Sequence, residues 1–245
     1  MGRLVRQIRD LFFPLQCSVC GDRITDKTVS CAMCHDCYEK YRTEVRAGCA
    51  VCGRDYVHCF CHPEPFFPDE FVFALPYNKL DGVCRKLILS CKNRKNTPVM
   101  EEFAAMAVSA AEKRGILTEG TLLTYVPRAP EKELHTGVDQ AKELAYAIAD
   151  KTGLPLLRLL GHHMLQNEQK DQSYDKRMPA AEAAYYLLPG SKGEIAGHTI
   201  LLVDDVVTTG ATVNTCTELL RQAGAQKVIC LAAARSVKSY REFMR

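Results

Sequence analysis

The sequence predicts an α/β protein in which a doubly wound, mostly parallel sheet follows a small cysteine-rich module. From residue 71 onward, segments typical of buried strands alternate with segments typical of helices, which favours a parallel sheet covered on both faces. One of these strands ends in two adjacent carboxylates followed by a loop of small and hydroxyl residues. Nine of the thirteen cysteines lie between Cys17 and Cys61, so the module precedes the sheet.

The cysteine-rich segment has the spacing of metal-binding knuckles. Three cysteine pairs are separated by two residues and a fourth pair by one: Cys17/Cys20, Cys34/Cys37, Cys49/Cys52 and Cys59/Cys61. Two thiolate pairs about a dozen residues apart can bind one tetrahedral zinc ion, as in a zinc ribbon. The spacing from Cys20 to Cys34 fits one such site. A second site could be built from Cys49, Cys52, Cys59 and Cys61. Which pairs share an ion, and whether Cys31 or a nearby histidine replaces a ligand, are left open by the spacing.

The same segment has too few apolar residues between Cys17 and Phe66 to build a core of its own. Metal binding would therefore supply most of its folding free energy, roughly 10–16 kcal/mol per structural zinc in peptide models. Sites with four thiolates have no open coordination position, so we expect a structural role. The alternative is a disulfide framework, which needs an oxidising compartment. The other four cysteines are expected to be small core residues: Cys84, Cys91, Cys216 and Cys230.

Composition limits the classes of partner. The formal net charge is only +3, so global charge argues for neither nucleic acid nor a membrane surface. No run of eighteen apolar residues exists, so we expect no membrane insertion. Residues 1–13 mix arginines with apolar side chains, which predicts a short amphipathic helix rather than a secretory signal. We therefore expect a cytoplasmic protein.

The first elements of the sheet follow a proline-containing loop. Phe71–Leu75 is predicted as a strand, Val83–Lys92 as a helix, and Thr97 with Pro98 as the start of an alanine-rich helix. The second of these elements and its exit hold the clear basic cluster of the chain: Arg85, Lys86, Lys92, Arg94 and Lys95. Such a cluster is more often a solvated surface, but it could contact nucleic acid.

The alternation then continues toward the carboxylate-bearing strand. Strands are predicted at Thr121–Val126, Leu156–Leu160 and Ala184–Leu188. A helix is predicted at Val138–Lys151. Ligands of such sheets bind beyond the carboxyl ends of the strands, so Arg128 is expected to contact an anionic group such as the pyrophosphate, with a plain surface position as the alternative. Residues 161–180 are polar and long for a connection, which is typical either of a lid or of a mobile surface loop. As a lid, this segment would bring Lys170, Lys176 and Arg177 to the ligand.

Residues 199–212 are the most informative stretch. The apolar residues 200–203 predict a buried strand that ends at Asp204 and Asp205, and a further strand is predicted at Lys227–Ala232. The loop after the two acids offers backbone N–H groups at a helix start and threonine hydroxyls, which suit a phosphate. Adjacent carboxylates suit vicinal ribose hydroxyls or a hydrated divalent metal. Together these groups describe a site for a ribose 5-phosphate, although a strand end followed by a capped helix is the simpler alternative.

The run LLVDDVVTTGAT resembles the phosphoribosyl pyrophosphate (PRPP) signature of type I phosphoribosyltransferases. The resemblance implies that Asp204 and Asp205 hold the ribose hydroxyls at the catalytic centre, and that Mg²⁺ binds together with PRPP. Residues expected to bind PRPP are Arg128, Asp204, Asp205, Val207, Thr208, Thr209, Gly210, Ala211 and Thr212.

Over nearly the whole chain the layout resembles the ComF family of competence-associated proteins. The resemblance rests on FFPLQC before the cysteine knuckles, the tripeptide VPR at residues 126–128, a Gly-x-x-Gln element and the signature. It implies a double zinc ribbon in residues 1–65, a phosphoribosyltransferase-like domain in residues 66–245, and a link to DNA uptake in bacterial transformation. Single-stranded DNA and a competence helicase are the implied partners.

One element departs from the family pattern. Family members usually carry Arg-Gly-Phe-Asn-Gln where this chain has TGVDQ at residues 136–140, so only Gly137 and Gln140 match. The missing Arg and Asn would have offered donors near the pyrophosphate. Two hypotheses therefore stand: a phosphoribosyltransferase, or a non-catalytic PRPP-binding module that binds single-stranded DNA or a helicase through its zinc segment and basic helix.

Overall fold

The computed structural model describes residues 14–26, 30–49, 52–55, 58–62, 65–77, 82–92, 94–164 and 184–235. The amphipathic helix predicted in residues 1–13 lies outside these ranges, as do the three cationic residues of the predicted lid. Within the described ranges, no helix is both long enough and apolar enough to cross a membrane.

The described residues form six strands and seven helices. The strands are β1 Glu70–Pro76, β2 Thr121–Tyr125, β3 Leu160–His162, β4 Tyr185–Leu187, β5 Thr199–Val207 and β6 Lys227–Arg235. The helices are α1 His35–Arg46, α2 Val83–Ser90, α3 Thr97–Lys113, α4 Pro130–Thr136, α5 Gln140–Thr152, α6 Ser191–Ile195 and α7 Ala211–Gln222.

Four of the strands form a parallel sheet in the order β1-β6-β5-β2, which confirms the predicted fold class. Because side chains alternate along a strand, the two faces of the sheet are covered by separate apolar clusters. In β5, Leu201 and Val203 pack toward α3 and α5, whereas Ile200 and Leu202 pack toward α7. Because β2 and β5 are parallel neighbours, their carboxyl ends lie side by side at the same end of the sheet.

The segment between α5 and β4 differs from the prediction. Only Leu156 of the predicted strand Leu156–Leu160 pairs with the main sheet, through one parallel bridge to Leu123. The chain then leaves the sheet, and Leu160–His162 pairs antiparallel with Tyr185–Leu187 in a separate two-stranded sheet. Gly161 permits this pairing, because a Cβ at that position would lie 2.4 Å from the ring of Tyr186.

Helix ends also differ from the predicted bounds. The helix predicted from Val138 begins at Gln140, because the Asp139 side chain caps it by accepting from the Lys142 N–H group at 3.1 Å. The helix predicted to reach Lys92 ends at Ser90. Helices α1, α4 and α6 were not predicted. Helices α4 and α6 are short, and α1 lies among the cysteines of the N-terminal part, where the apolar pattern is weak.

The described residues of the range 14–62, called here the cysteine segment, pack onto the sheet domain. Tyr41 of α1 is buried in the apolar cluster on the α3 side, and its hydroxyl donates to the Met106 sulfur. Cys49 and Cys59 belong instead to the cluster on the α7 side. Arg114 donates to the carbonyl oxygens of Cys59 at 2.6 Å and Phe71 at 2.8 Å, which ties the second half of the segment to β1. The four isolated cysteines are buried in the sheet domain, as predicted.

Candidate functional site

A cavity of about 290 Å³ opens at the carboxyl ends of β2 and β5. It is lined by residues that follow β2, begin α5, belong to the small sheet, or end β5 and begin α7. The polar members are Arg128, Lys132, Asp139, Gln140, His162, Tyr185, Asp204, Asp205 and Thr212. The structure thus brings three of the predicted ligand groups together: the arginine after β2, the paired carboxylates and the last residue of the loop.

The paired carboxylates occupy different environments. Asp204 is buried and Asp205 is partly exposed. The Asp205 N–H group donates to Asp204 Oδ1 at 2.9 Å, and the Val206 N–H group donates to Asp205 Oδ1 at 2.7 Å. Burial, followed by the negative charge of Asp205, raises the pKa of Asp204 well above its ordinary value. The unliganded cavity therefore disfavours the charged form of Asp204, and a ligand with hydroxyl donors or a cation would favour it.

This raised pKa leads to a prediction about stability. In the folded, unliganded protein Asp204 holds its proton to a higher pH than in the unfolded chain, so its ionisation destabilises the folded state as pH rises above the ordinary pKa of 3.8. We expect Asp204→Asn to raise the free energy of unfolding at pH 8, by about 1.4 kcal/mol for each pKa unit by which the folded protein raises the pKa of Asp204.

Urea unfolding of both proteins between pH 5.5 and 8.5, without PRPP, measures this effect. The gain should grow with pH until the wild-type carboxyl is fully ionised. Asp150→Asn, at an exposed position of α5, is the control and should show no such trend. An Asp204→Asn protein less stable than the wild type at pH 8 would contradict the prediction.

The loop after β5 forms the start of α7. Gly210 adopts φ +79° at the N-cap position, a conformation that glycine accepts at little cost, and α7 begins at Ala211. The first N–H groups of a helix have no partner within it, and the helix dipole adds partial positive charge there. Thr208 and Thr209 are exposed, whereas the side chain of Val207 is buried. Val207 can therefore offer only its backbone to a ligand.

Arg128 is held at the cavity by two contacts with the start of α5. Its Nη1 donates to Gln140 Oε1, and its backbone N–H group donates to Asp139 Oδ2 at 3.1 Å. Its Nε atom is buried and has no hydrogen-bond partner among the described residues. An unpartnered guanidinium donor beside the cavity fits an anionic group of a ligand.

Sequence reasoning missed the small sheet as part of the site. His162 and Tyr185 face each other across β3 and β4 with ring centroids 4.7 Å apart, and both line the cavity. His162 Nδ1 donates a hydrogen bond to the carbonyl oxygen of His163, at 2.6 Å. Nδ1 then carries the proton in the neutral ring, and Nε2 is an acceptor. The sequence signal was only two short aromatic segments, and nothing in their spacing indicates that they pair.

The cysteines of the cysteine segment form two groups of four. They are Cys17, Cys20, Cys34 and Cys37 in the first cluster, and Cys49, Cys52, Cys59 and Cys61 in the second. Within each cluster all sulfur atoms lie within 4.8 Å of one another. Cys20 and Cys34 Sγ are 3.7 Å apart, as are Cys52 and Cys59 Sγ. Tetrahedral coordination with Zn–S bonds of about 2.3 Å requires a separation of about 3.8 Å, so both clusters could hold zinc.

Residues 137–242 match the family described as the phosphoribosyl transferase domain. The parallel sheet, the cavity beyond its strand ends and this match define a phosphoribosyltransferase-type domain. The match includes β5 and α7 but neither β1 nor β2, which precede it in the chain.

Two curated proteins are similar to parts of the chain. An adenine phosphoribosyltransferase from Mycobacterium marinum is 28% identical over 95 residues, which cover 38% of this chain and 50% of that protein. A ribose-phosphate pyrophosphokinase from Prochlorococcus marinus is 46% identical over 41 residues, or 17% of this chain and 12% of that protein. The chain therefore spans half or less of the length of these relatives.

Solved structures are similar over a larger part of the chain. A glutamine PRPP amidotransferase from B. subtilis has 18% identity and a TM-score of 0.41, with coverage of 60% of this chain and 30% of its own. A hypoxanthine phosphoribosyltransferase from Staphylococcus aureus has 11% identity and a TM-score of 0.37, with coverage of 62% and 73%.

Proposed function

We propose that the cavity binds PRPP with Mg²⁺ and that the protein transfers its ribose 5-phosphate to an acceptor. The observation that carries this proposal is the meeting of three groups at one cavity: the paired carboxylates, Thr212 in the first turn of α7 and the unpartnered Nε of Arg128. Each suits one part of PRPP: the ribose hydroxyls, the 5′-phosphate and the pyrophosphate.

In the proposed reaction the bond from the anomeric carbon to pyrophosphate breaks and a bond to the acceptor forms. The carboxylates of Asp204 and Asp205 accept from the ribose hydroxyls, and the N–H groups at the start of α7 donate to the 5′-phosphate. Arg128 and Lys132 face the departing pyrophosphate, whose charge is offset by Mg²⁺ when it is bound. Catalysis then consists of positioning the two reactants and stabilising the leaving group electrostatically.

Calorimetric titration of PRPP with MgCl₂ into the full chain tests the binding part. We expect saturable binding that requires Mg²⁺; no heat of binding up to 1 mM PRPP would overturn the proposal. Release of pyrophosphate with a panel of nucleobases then separates the two hypotheses. The similarity to an adenine phosphoribosyltransferase makes adenine the first acceptor to try. Release with none of the bases would favour a non-catalytic binding module.

We further infer membership of the ComF family, with the metal-binding module in residues 1–65, the transferase-like domain in residues 66–245, and a role in DNA uptake on the cytoplasmic side. Support comes from the family-like layout of the sequence and from the pairing of cysteines in two clusters. A deletion strain tested for natural transformation measures this role: transformation frequency should fall and return with the wild-type gene.

A second candidate function is binding of single-stranded DNA at the basic cluster. Lys86 and Lys92 are exposed, and neither has an acidic partner among the residues that the structure describes. Lys95 is instead paired with Glu143, with Nζ 2.6 Å from Oε2. Arg85 lies 5.9 Å from the ring centroid of Tyr77, so an aromatic ring flanks the cluster. Cations beside an aromatic ring suit a single strand.

We expect Lys86→Glu with Lys92→Glu to weaken binding of a fluorescent 20-nucleotide single strand at low salt by at least about tenfold, because phosphate contacts dominate such affinity. The slope of log K against log salt should fall in magnitude by about 1.4, because each lysine–phosphate pair contributes roughly 0.7 to it. Fluorescence anisotropy between 50 and 200 mM NaCl measures both. Lys113→Glu with Lys192→Glu, exposed elsewhere, is the charge-matched control. Equal binding by both double variants would exclude this surface.

A further inference from the structure

Helix α2 begins on a side chain from the cysteine segment. Glu44 of α1 accepts from the N–H group of Val83 at 2.8 Å through Oε1 and from that of Cys84 at 3.1 Å through Oε2. The N-cap residue of α2 is Gly82, which has no side chain to offer. Helix α1 itself starts at residue 35, between two ligands of the first cluster. The first cluster therefore sets the position of the group that caps α2.

The other end of α2 is held by a side chain of the cavity. Gln140 is buried, and its Nε2 group donates to the carbonyl oxygens of Cys91 at 2.9 Å and Lys92 at 2.7 Å. These carbonyls follow the last turn of α2, where helix geometry leaves them without intrahelical partners. Gln140 thus fixes the exit of α2 to the start of α5.

Gln140 also holds the arginine of the cavity. Its Oε1 accepts from Arg128 Nη1, so both ends of its amide are engaged. The orientation of the amide is unambiguous, because two carbonyls require the NH₂ group and a guanidinium requires the oxygen. Rotation of Gln140 would break all three contacts together. Movement at the exit of α2 is therefore passed directly to Arg128.

We propose that Glu44 and Gln140 are positioning residues that couple the first cysteine cluster to the PRPP cavity through α2. The eight residues of α2 form a rigid strut about 12 Å long. Ligand binding at Arg128 then stabilises the cap at Val83 and Cys84, and the cap in turn favours ligand binding, since coupling between sites is reciprocal. This inference rests on the proposed function, because it needs PRPP as the ligand of Arg128.

The test uses the full, zinc-loaded chain with the variants Glu44→Ala and Gln140→Met. Calorimetry measures the Kd for PRPP with Mg²⁺, and metal analysis verifies that zinc content is unchanged. We expect each variant to raise Kd at least about fivefold, the lower end of typical coupling between sites. Glu39→Ala is the control, because Glu39 lies on the same helix and is exposed, and its side chain pairs only with Arg42, at 3.0 Å, among the described residues. Its Kd should equal that of the wild type.

Hydrogen exchange supplies a readout that a merely structural role would not move. PRPP should slow exchange in a peptide covering residues 83–92 of the wild type, but not in Gln140→Met. Should that variant fail to fold, Gln140→Glu keeps the acceptor for Arg128 and removes both donors to α2, so the same loss of protection is expected.

Two failures can be told apart. Wild-type protein that does not bind PRPP overturns the proposed function and this coupling with it. Wild-type protein that binds PRPP, together with Glu44→Ala and Gln140 variants of unchanged Kd and unchanged protection, overturns the coupling alone.

Discussion

The double variant Asp204→Asn with Asp205→Asn is expected to lose binding of PRPP with Mg²⁺ by at least about 100-fold. Each asparagine is nearly isosteric with aspartate but carries no charge, and its NH₂ group donates where a ribose hydroxyl needs an acceptor. Charge-assisted hydrogen bonds contribute roughly 1.5–3 kcal/mol each, so the loss of two exceeds a factor of 100. Calorimetric titration measures the change.

The control for this variant removes two charges elsewhere. Asp150→Asn with Glu218→Gln changes exposed positions of α5 and α7 and should bind PRPP as the wild type does. The single Asp204→Asn variant should also fold at least as stably as the wild type, because the buried carboxylate is destabilised when charged. Wild-type affinity in the double aspartate variant would contradict the assignment of the carboxylates to the ribose.

Removal of metal is expected to have the largest effect on stability. Structural zinc contributes roughly 10–16 kcal/mol in peptide models, which matches or exceeds the whole stability of a typical domain. The effect should not stay within the cysteine segment, because Met33 and Tyr41 belong to the apolar cluster on the α3 side of the sheet. We expect EDTA to abolish cooperative thermal unfolding monitored by circular dichroism.

Single variants separate the two clusters. Elemental analysis should find two zinc ions per wild-type chain and one in Cys34→Ser, which removes a ligand of the first cluster. Cys31→Ser is the matched control: Cys31 lies three residues away, is exposed and belongs to neither cluster. Two zinc ions retained in Cys34→Ser would contradict the assignment of Cys34 as a ligand. Cooperative unfolding of the metal-free protein would contradict the structural role of the metal.

The sequence was most informative where local pattern and chemistry coincide. The buried residues around Leu201, the acids after them and the loop before α7 were predicted because strand burial, strand end and helix start follow each other without interruption. The cysteine pairs were predicted for the same reason, since ligands two residues apart can approach one ion, whereas the spacing left open which pairs share a cluster.

Contacts between distant segments could not be predicted in this way. His162 and Tyr185 meet only because β3 pairs with β4, and no local pattern specifies that pairing. Gln140 appeared in the sequence only as one matching residue of an altered element. Its three partners come from the exit of α2 and from the end of β2, separated by up to 49 residues in the chain. Side-chain networks of this kind depend on tertiary packing, which outweighs local propensity.

The pairing of β1 with β6 has a consequence for the order in which the protein assembles on the ribosome. Asp69, just before β1, accepts from the Val228 N–H group at 2.8 Å, although 159 residues separate them. Strand β1 therefore has no strand to pair with until β6 has left the exit tunnel of the ribosome. At synthesis rates of roughly 5–20 residues per second this delay is on the order of ten to thirty seconds. The cysteine segment precedes β1 in the chain, so zinc can be bound during that interval, before the sheet closes; a chain completed without zinc would lack the folded segment that packs onto the sheet.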